Sequence, residues 1–114
     1  MKKLIFVSLM TFVAASSASA GSIANVKIAS VLAGASNLYY VNFATAISGP
    51  PSCVTTYNKR FVFNISTAPG KAMLSTLLMA QSSGAPVSIS GTGTCAESAG
   101  TESVKYVTLP TVNR

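Results

Sequence analysis

The sequence predicts a single, mainly β domain of five strands with one helix between the third and the fourth. Three observations carry that expectation. Short runs of period-two alternation recur along the chain, bounded by Gly, Pro, Asn and Ser. Only one stretch of the chain after the leader has apolar residues at helical spacing, and it is framed by Thr67 and Pro69 at its start and Gly84 at its end. The length of 114 residues suffices for one domain.

Met1 to Ala20 opens with Lys2 and Lys3, runs through the apolar Leu4 to Val13, and ends in Ala18-Ser19-Ala20. That is the pattern of a secretory signal peptide cut after Ala20. The apolar run is about half the roughly 20 residues a spanning helix needs, and no later segment approaches that length. Residues 21–114 are therefore expected to form one exported domain with no membrane span after processing. Of the 8 Lys and Arg, Lys2 and Lys3 leave with the leader, so six cations face two anions.

In the domain, Ser22 to Leu32 alternates, with Ala24, Val26 and Ile28 on one face and Asn25 and Lys27 on the other, as a half-buried strand requires. Gly34 and Asn37 supply a turn into a second strand, Leu38 to Ala44, rich in aromatic and β-branched residues, and the two read as a hairpin. Ser48-Gly49-Pro50-Pro51-Ser52 is irregular. The third strand, Arg60 to Ser66, sets Phe61, Phe63 and Ile65 against Arg60, Val62 and Asn64. Thr67 can accept from a free N–H of the first helical turn, where proline is tolerated, and the helix runs to about Ser83. Met73, Leu74, Leu77 and Leu78 form its core stripe, and Gly84 is the left-handed stop. Pro86 to Ser90 resumes the period of two, Gly91 to Gly100 is a loop, and Val104 to Leu109 is the last strand.

That order matches an OB-fold, a five-stranded barrel whose single helix lies between strands three and four. The alternative is an open α+β sheet with the same elements. Two cysteines in an exported chain are expected to pair as a Cys53–Cys95 disulfide rather than hold a metal, since two thiols lack the usual four ligands.

Composition narrows the function. There is no His and no Asp, and Glu97 and Glu102 are the only acids, so general acid–base, nucleophilic and metal chemistry lack their usual parts and no cofactor is expected. The two acids share a predicted loop with Lys105 close by, which suggests surface pairs. The cations Lys27, Lys59, Arg60, Lys71, Lys105 and Arg114 are scattered, unlike the clustered footprint of a nucleic-acid binder. Gly91-Thr92-Gly93 has two glycines of a dinucleotide motif without its βαβ setting, and reads as a strand end turning toward Cys95. Asn64-Ile65-Ser66 fits a glycosylation sequon but falls in a predicted strand behind a bacterial-type leader. On the helix, Ala72, Ser75, Thr76 and Met79 form an uncharged outer face that suits contact with another subunit. Tyr39, Tyr40, Tyr57 and Tyr106 are the candidate ligand-contacting aromatics, able to stack on a sugar and hydrogen-bond through their hydroxyls.

The run Phe61 to Met73, followed by Ser83-Gly84-Ala85-Pro86-Val87 and Gly91-Thr92-Gly93-Thr94-Cys95, resembles the subtilase cytotoxin B-subunit-like family of small exported bacterial proteins. The resemblance covers Cys53 to Leu109. It implies an OB-fold, an intrachain disulfide and, in toxin members, a homopentamer that binds host glycans and carries a catalytic A subunit. The receptor-binding stretches of those members correspond to Ile23-Ala24-Asn25 and Ser90-Gly91, which lack the aromatic found there, so no binding residue is transferred. The expected function is a non-catalytic, periplasmic or secreted glycan-binding protein similar to the B subunit of an AB5-type toxin. The alternative is a periplasmic OB-fold binding or structural protein without a toxin role.

Overall fold

The computed structural model describes residues 19–110; most of the predicted leader, and Arg114, lie outside the described residues. Six strands and one helix follow in the order β1 (Ser22–Lys27), β2 (Ser30–Ala33), β3 (Leu38–Asn42), β4 (Arg60–Asn64), α1 (Ala68–Ser83), β5 (Pro86–Gly91) and β6 (Glu102–Thr108). They form one mixed sheet of order β1-β5-β6-β4-β3-β2. All pairs are antiparallel except β4 with β6, where Phe61 lies opposite Glu102 and Val62 opposite Ser103. The pairing describes an open six-strand sheet, not five strands hydrogen-bonded into a closed barrel. Its two edge strands are nevertheless neighbours along the chain, separated only by Ile28 and Ala29.

The predicted first strand is thus two strands, and its expected inward face holds at Val26 and Ile28 but fails at Ala24. Ile23 pairs with Ile89 and Val26 with Val87, three residues of β1 against two of β5, and Asn25 between them has φ 53°. This bulge inserts one residue and resets which side chains face inward. Ile23 is buried, Ala24 is exposed, and Val26 and Ile28 pack against the core from its margin.

The hairpin of β2 and β3 turns through Ser36 and Asn37, both at positive φ, with Gly34 N–H donating to the Leu38 carbonyl. On β4, Phe61, Val62 and Phe63 are all buried, so the expected outward Val62 is covered as well. The strand ends at Asn64, whose Oδ1 accepts from the N–H and hydroxyl of Ser66 in a local turn, two residues earlier than predicted.

Helix α1 begins as expected. Thr67 Oγ1 accepts from Gly70 N–H at 3.0 Å and Pro69 occupies the first turn. It ends at Gly84, at φ 69°, with Ala85 N–H donating to the Ala80 carbonyl. Leu77 and Ala80 are buried and Met73 and Leu74 pack at the core margin, but Leu78, expected in the stripe, is 46% exposed. The helix is rolled so that Leu77 points at the sheet, and Leu78, one residue and about 100° further round, points away. The core gathers Ile23, Val41, Phe43, Phe61, Phe63, Leu77, Val87 and Ile89 between helix and sheet.

Cys53 and Cys95 are bonded, with Cα atoms 6.1 Å apart, tying the β3–β4 loop to the β5–β6 loop.

Candidate functional site

The period of two in β2, β3 and β4 gives their shared sheet two distinct faces. Val31, Tyr39, Val41, Phe61 and Phe63 face the core, and Tyr39 packs on its cross-strand partner Phe63 with ring centroids 6.0 Å apart. The opposite face carries Ser30, Asn42 and Arg60 in register across the three strands, with Leu32, Tyr40 and Val62 in the next row. Arg60 Nε donates to Asn42 Oδ1 at 2.7 Å, and Asn42 Nδ2 donates to Ser30 Oγ at 3.1 Å.

Two tyrosines flank the guanidinium. Arg60 Cζ lies 4.4 Å from the Tyr57 ring centroid and 5.3 Å from that of Tyr40, within cation–π range of both. Tyr40 is fixed from the other side by a 3.2 Å hydrogen bond between its hydroxyl and Ser98 Oγ. Tyr57 is 43% exposed and belongs to the loop tied down at Cys53, while Ser98 belongs to the loop tied down at Cys95. The disulfide therefore holds the two loops that complete the patch. Among the described residues no hydrogen bond engages the Arg60 Nη groups, which leaves a planar donor pair beside an exposed aromatic ring. Such a pair suits a carboxylate, and an exposed tyrosine ring face suits the apolar face of a sugar.

Away from this surface patch, a concavity of about 370 Å³ lies where α1 starts, between Asn64, Met73 and the loop 92–97, with Glu97 and Lys105 among its lining residues. Asn64 Nδ2 donates to Glu97 Oε2 at 3.5 Å, and the Ser103 hydroxyl is buried without a partner. An acid among its walls makes this cleft a poorer match for an anionic ligand than the Arg60 patch.

The structure brings two of the four predicted tyrosines, Tyr40 and Tyr57, into one patch. Tyr39 is core packing, and Tyr106 stands alone, 52% exposed, on β6. Arg60, Asn42, Ser30 and Ser98 were not singled out as site residues; the hairpin register that puts Asn42 opposite Arg60 is the signal that exposes them. The expected surface pairing of the acids is corrected. Glu97 is exposed, but Glu102 is completely buried in β6, where its Oε2 accepts from Gly21 N–H and Gly93 N–H. Family models, curated proteins and solved structures contain no match to this chain. The patch must be read from its own chemistry. On α1, Ala72, Ser75 and Met79 are exposed and Thr76 is half-buried. Ser75 and Thr76 hydroxyls donate back to the Lys71 and Ala72 carbonyls, so the helix presents Leu78 and Met79 with little competing polarity.

Proposed function

We propose that the chain is a non-catalytic, exported glycan-binding protein whose Tyr40–Arg60–Tyr57 patch takes a carboxylate-bearing sugar. The observation that carries this reading is the guanidinium set between two tyrosine rings with its Nη groups turned to no protein partner among the described residues. A charge-assisted, forked contact to a carboxylate and stacking on Tyr57 are both specific, but together they give modest affinity per copy. Multiplicity would supply the avidity. The face of Ala72, Ser75, Thr76 and Met79, extended by exposed Leu78, is proposed as the contact between copies, with the count of five and a catalytic A-type partner supplied by the family resemblance.

An OB-type barrel belongs to the same proposal. If β1 and β2 are counted as two halves of one bent strand, the strand order runs first, fourth, fifth, third, second and back to first, with the helix between third and fourth. That is the connectivity of the barrel.

The test is a glycan array probed with the processed oligomer. Acidic glycans are expected to bind, neutral analogues lacking the carboxylate are not, and Arg60→Gln or Tyr57→Ala should reduce binding at least tenfold. The absence of any glycan signal, or binding unchanged in Arg60→Gln, overturns the reading. The internal chain from Arg60 Nε through Asn42 to Ser30 favours a second reading, in which the patch only braces the sheet of a periplasmic OB-fold protein. Arg60→Gln would then lower stability and leave no binding to lose.

A further inference from the structure

Glu102 is a fully buried acid that forms no ion pair among the described residues. Its Oε2 accepts from Gly21 N–H at 2.9 Å and from Gly93 N–H at 3.0 Å, whereas its buried Oε1 has no hydrogen-bond partner among the described residues. Two neutral donors on one oxygen are poor compensation for a buried carboxylate, which is stable in such a place only when paired.

The niche is shaped by missing side chains. A Cβ on Gly21 would collide with Glu102 Oε1 and come within 2.6 Å of Ile47 Cγ2, and a Cβ on Gly91 would collide with Glu102 Oε2. Gly21 is held there by main-chain bonds that owe nothing to the residues before it. Its carbonyl accepts from Gly91 N–H at 2.8 Å, and Ser22 and Ser48 exchange both of their backbone bonds. Ala20, immediately upstream, is exposed, and the only side-chain bond Ser19 contributes is an exposed one to the Gly49 carbonyl.

We propose that hydrolysis of the Ala20–Gly21 peptide bond turns the Gly21 nitrogen into an α-ammonium that forms a buried ion pair with Glu102, so that removal of the leader completes the fold. The inference rests on the export reading, in which Ala20 ends the signal peptide. An endopeptidase of the export pathway and one water molecule carry out the step. The C–N bond breaks, the Ala20 carbonyl carbon takes the water oxygen and leaves with the leader as a carboxylate, and the water's two protons go to the Gly21 nitrogen. That nitrogen, an amide with one hydrogen before cleavage, becomes an ammonium with three. One stays on Oε2, and a second can turn to Oε1, which lies on the Cβ side of the same glycine. The carboxylate gains its counter-charge, and the orphaned oxygen its donor.

The test compares the processed chain beginning at Gly21 with the same chain made to retain Ser19-Ala20 and with the Gly21 chain acetylated at its terminus, all with the disulfide formed. In urea unfolding the free Gly21 terminus is expected to favour the folded state tenfold to a hundredfold more than either blocked form. In Glu102→Gln the three should agree within about twofold. If Glu102→Gln does not fold, reductive methylation of the wild-type terminus decides: the Gly21 amine should react at least tenfold more slowly in the folded chain than in urea. Equal stability of the three wild-type forms, or a terminus methylated as fast folded as unfolded, overturns the ion pair. Mass spectrometry of the exported chain separates this from failure of the export reading. An N-terminus other than Gly21 removes both, whereas a Gly21 terminus without extra stability removes the ion pair alone.

Discussion

At the scale of single residues, the least legible feature was Glu102. An acid three residues before Lys105 looks like a solvated partner, because local sequence shows neither the backbone donor 81 residues away at Gly21 nor the space left by Gly91. The Gly91-Thr92-Gly93 signal was visible, but its role as one wall of a carboxylate niche needs the fold. The tyrosines were legible as a set and not individually, since aromatic character alone does not separate half-buried Tyr39 on β3 from exposed Tyr57 in the β3–β4 loop. Gly91→Ala should destabilise the protein by about 3 kcal/mol, the upper range for a forced overlap in a packed interior, read as a lower urea midpoint at unchanged slope. Tyr57→Ala should leave the unfolding free energy within about 1 kcal/mol of the parent, because its cation–π contact is partly exposed, and should act on the proposed ligand binding instead.

At the scale of elements, the helix was legible almost to the residue because its signals are local. Thr67 accepts at the start, Pro69 fits the first turn, and Gly84 takes the left-handed conformation at the end. Its roll was not legible: Leu77 and Leu78 sit side by side in a hydrophobic stripe, and only the sheet beneath decides that the first is buried and the second exposed. The same holds for β1, where a single extra residue at Asn25 puts Ile23 inward in place of Ala24 while Val26 and Ile28 keep the expected side, an event that period-two reasoning cannot anticipate. Gly84→Ala should cost about 1 kcal/mol, since nothing lies within 4 Å of the added Cβ and the penalty is purely the φ of 69°; thermal unfolding would measure it. Met79→Glu should split the proposed oligomer without changing the fold, because the side chain is 55% exposed; light scattering together with circular dichroism would show a lower mass with the same spectrum.

At the scale of the whole molecule, element order was legible and closure was not. Alternation and turn residues locate strands, but they do not report the break at Ile28-Ala29 or the parallel pairing of β4 with β6, which joins segments separated by the entire helix and β5. Replacing both cysteines with alanine should lower stability by about 4 kcal/mol, from the entropy of a 42-residue separation, and loosen the loops that carry Tyr57 and Ser98; urea unfolding and loss of the proposed glycan binding would report the two effects. The position of the edge strands has a colloidal consequence. A sheet with two free edges is a template for fibre growth, each edge recruiting the next molecule. Here one edge is six residues long and kinked at Asn25, the other is four residues long, and both belong to one continuous stretch of chain that turns from one into the other. Neither offers the long, flat row of unpaired amides and carbonyls on which amyloid-type stacking propagates. Copies of this chain can therefore meet through their side chains at high concentration without their backbones zipping into filaments.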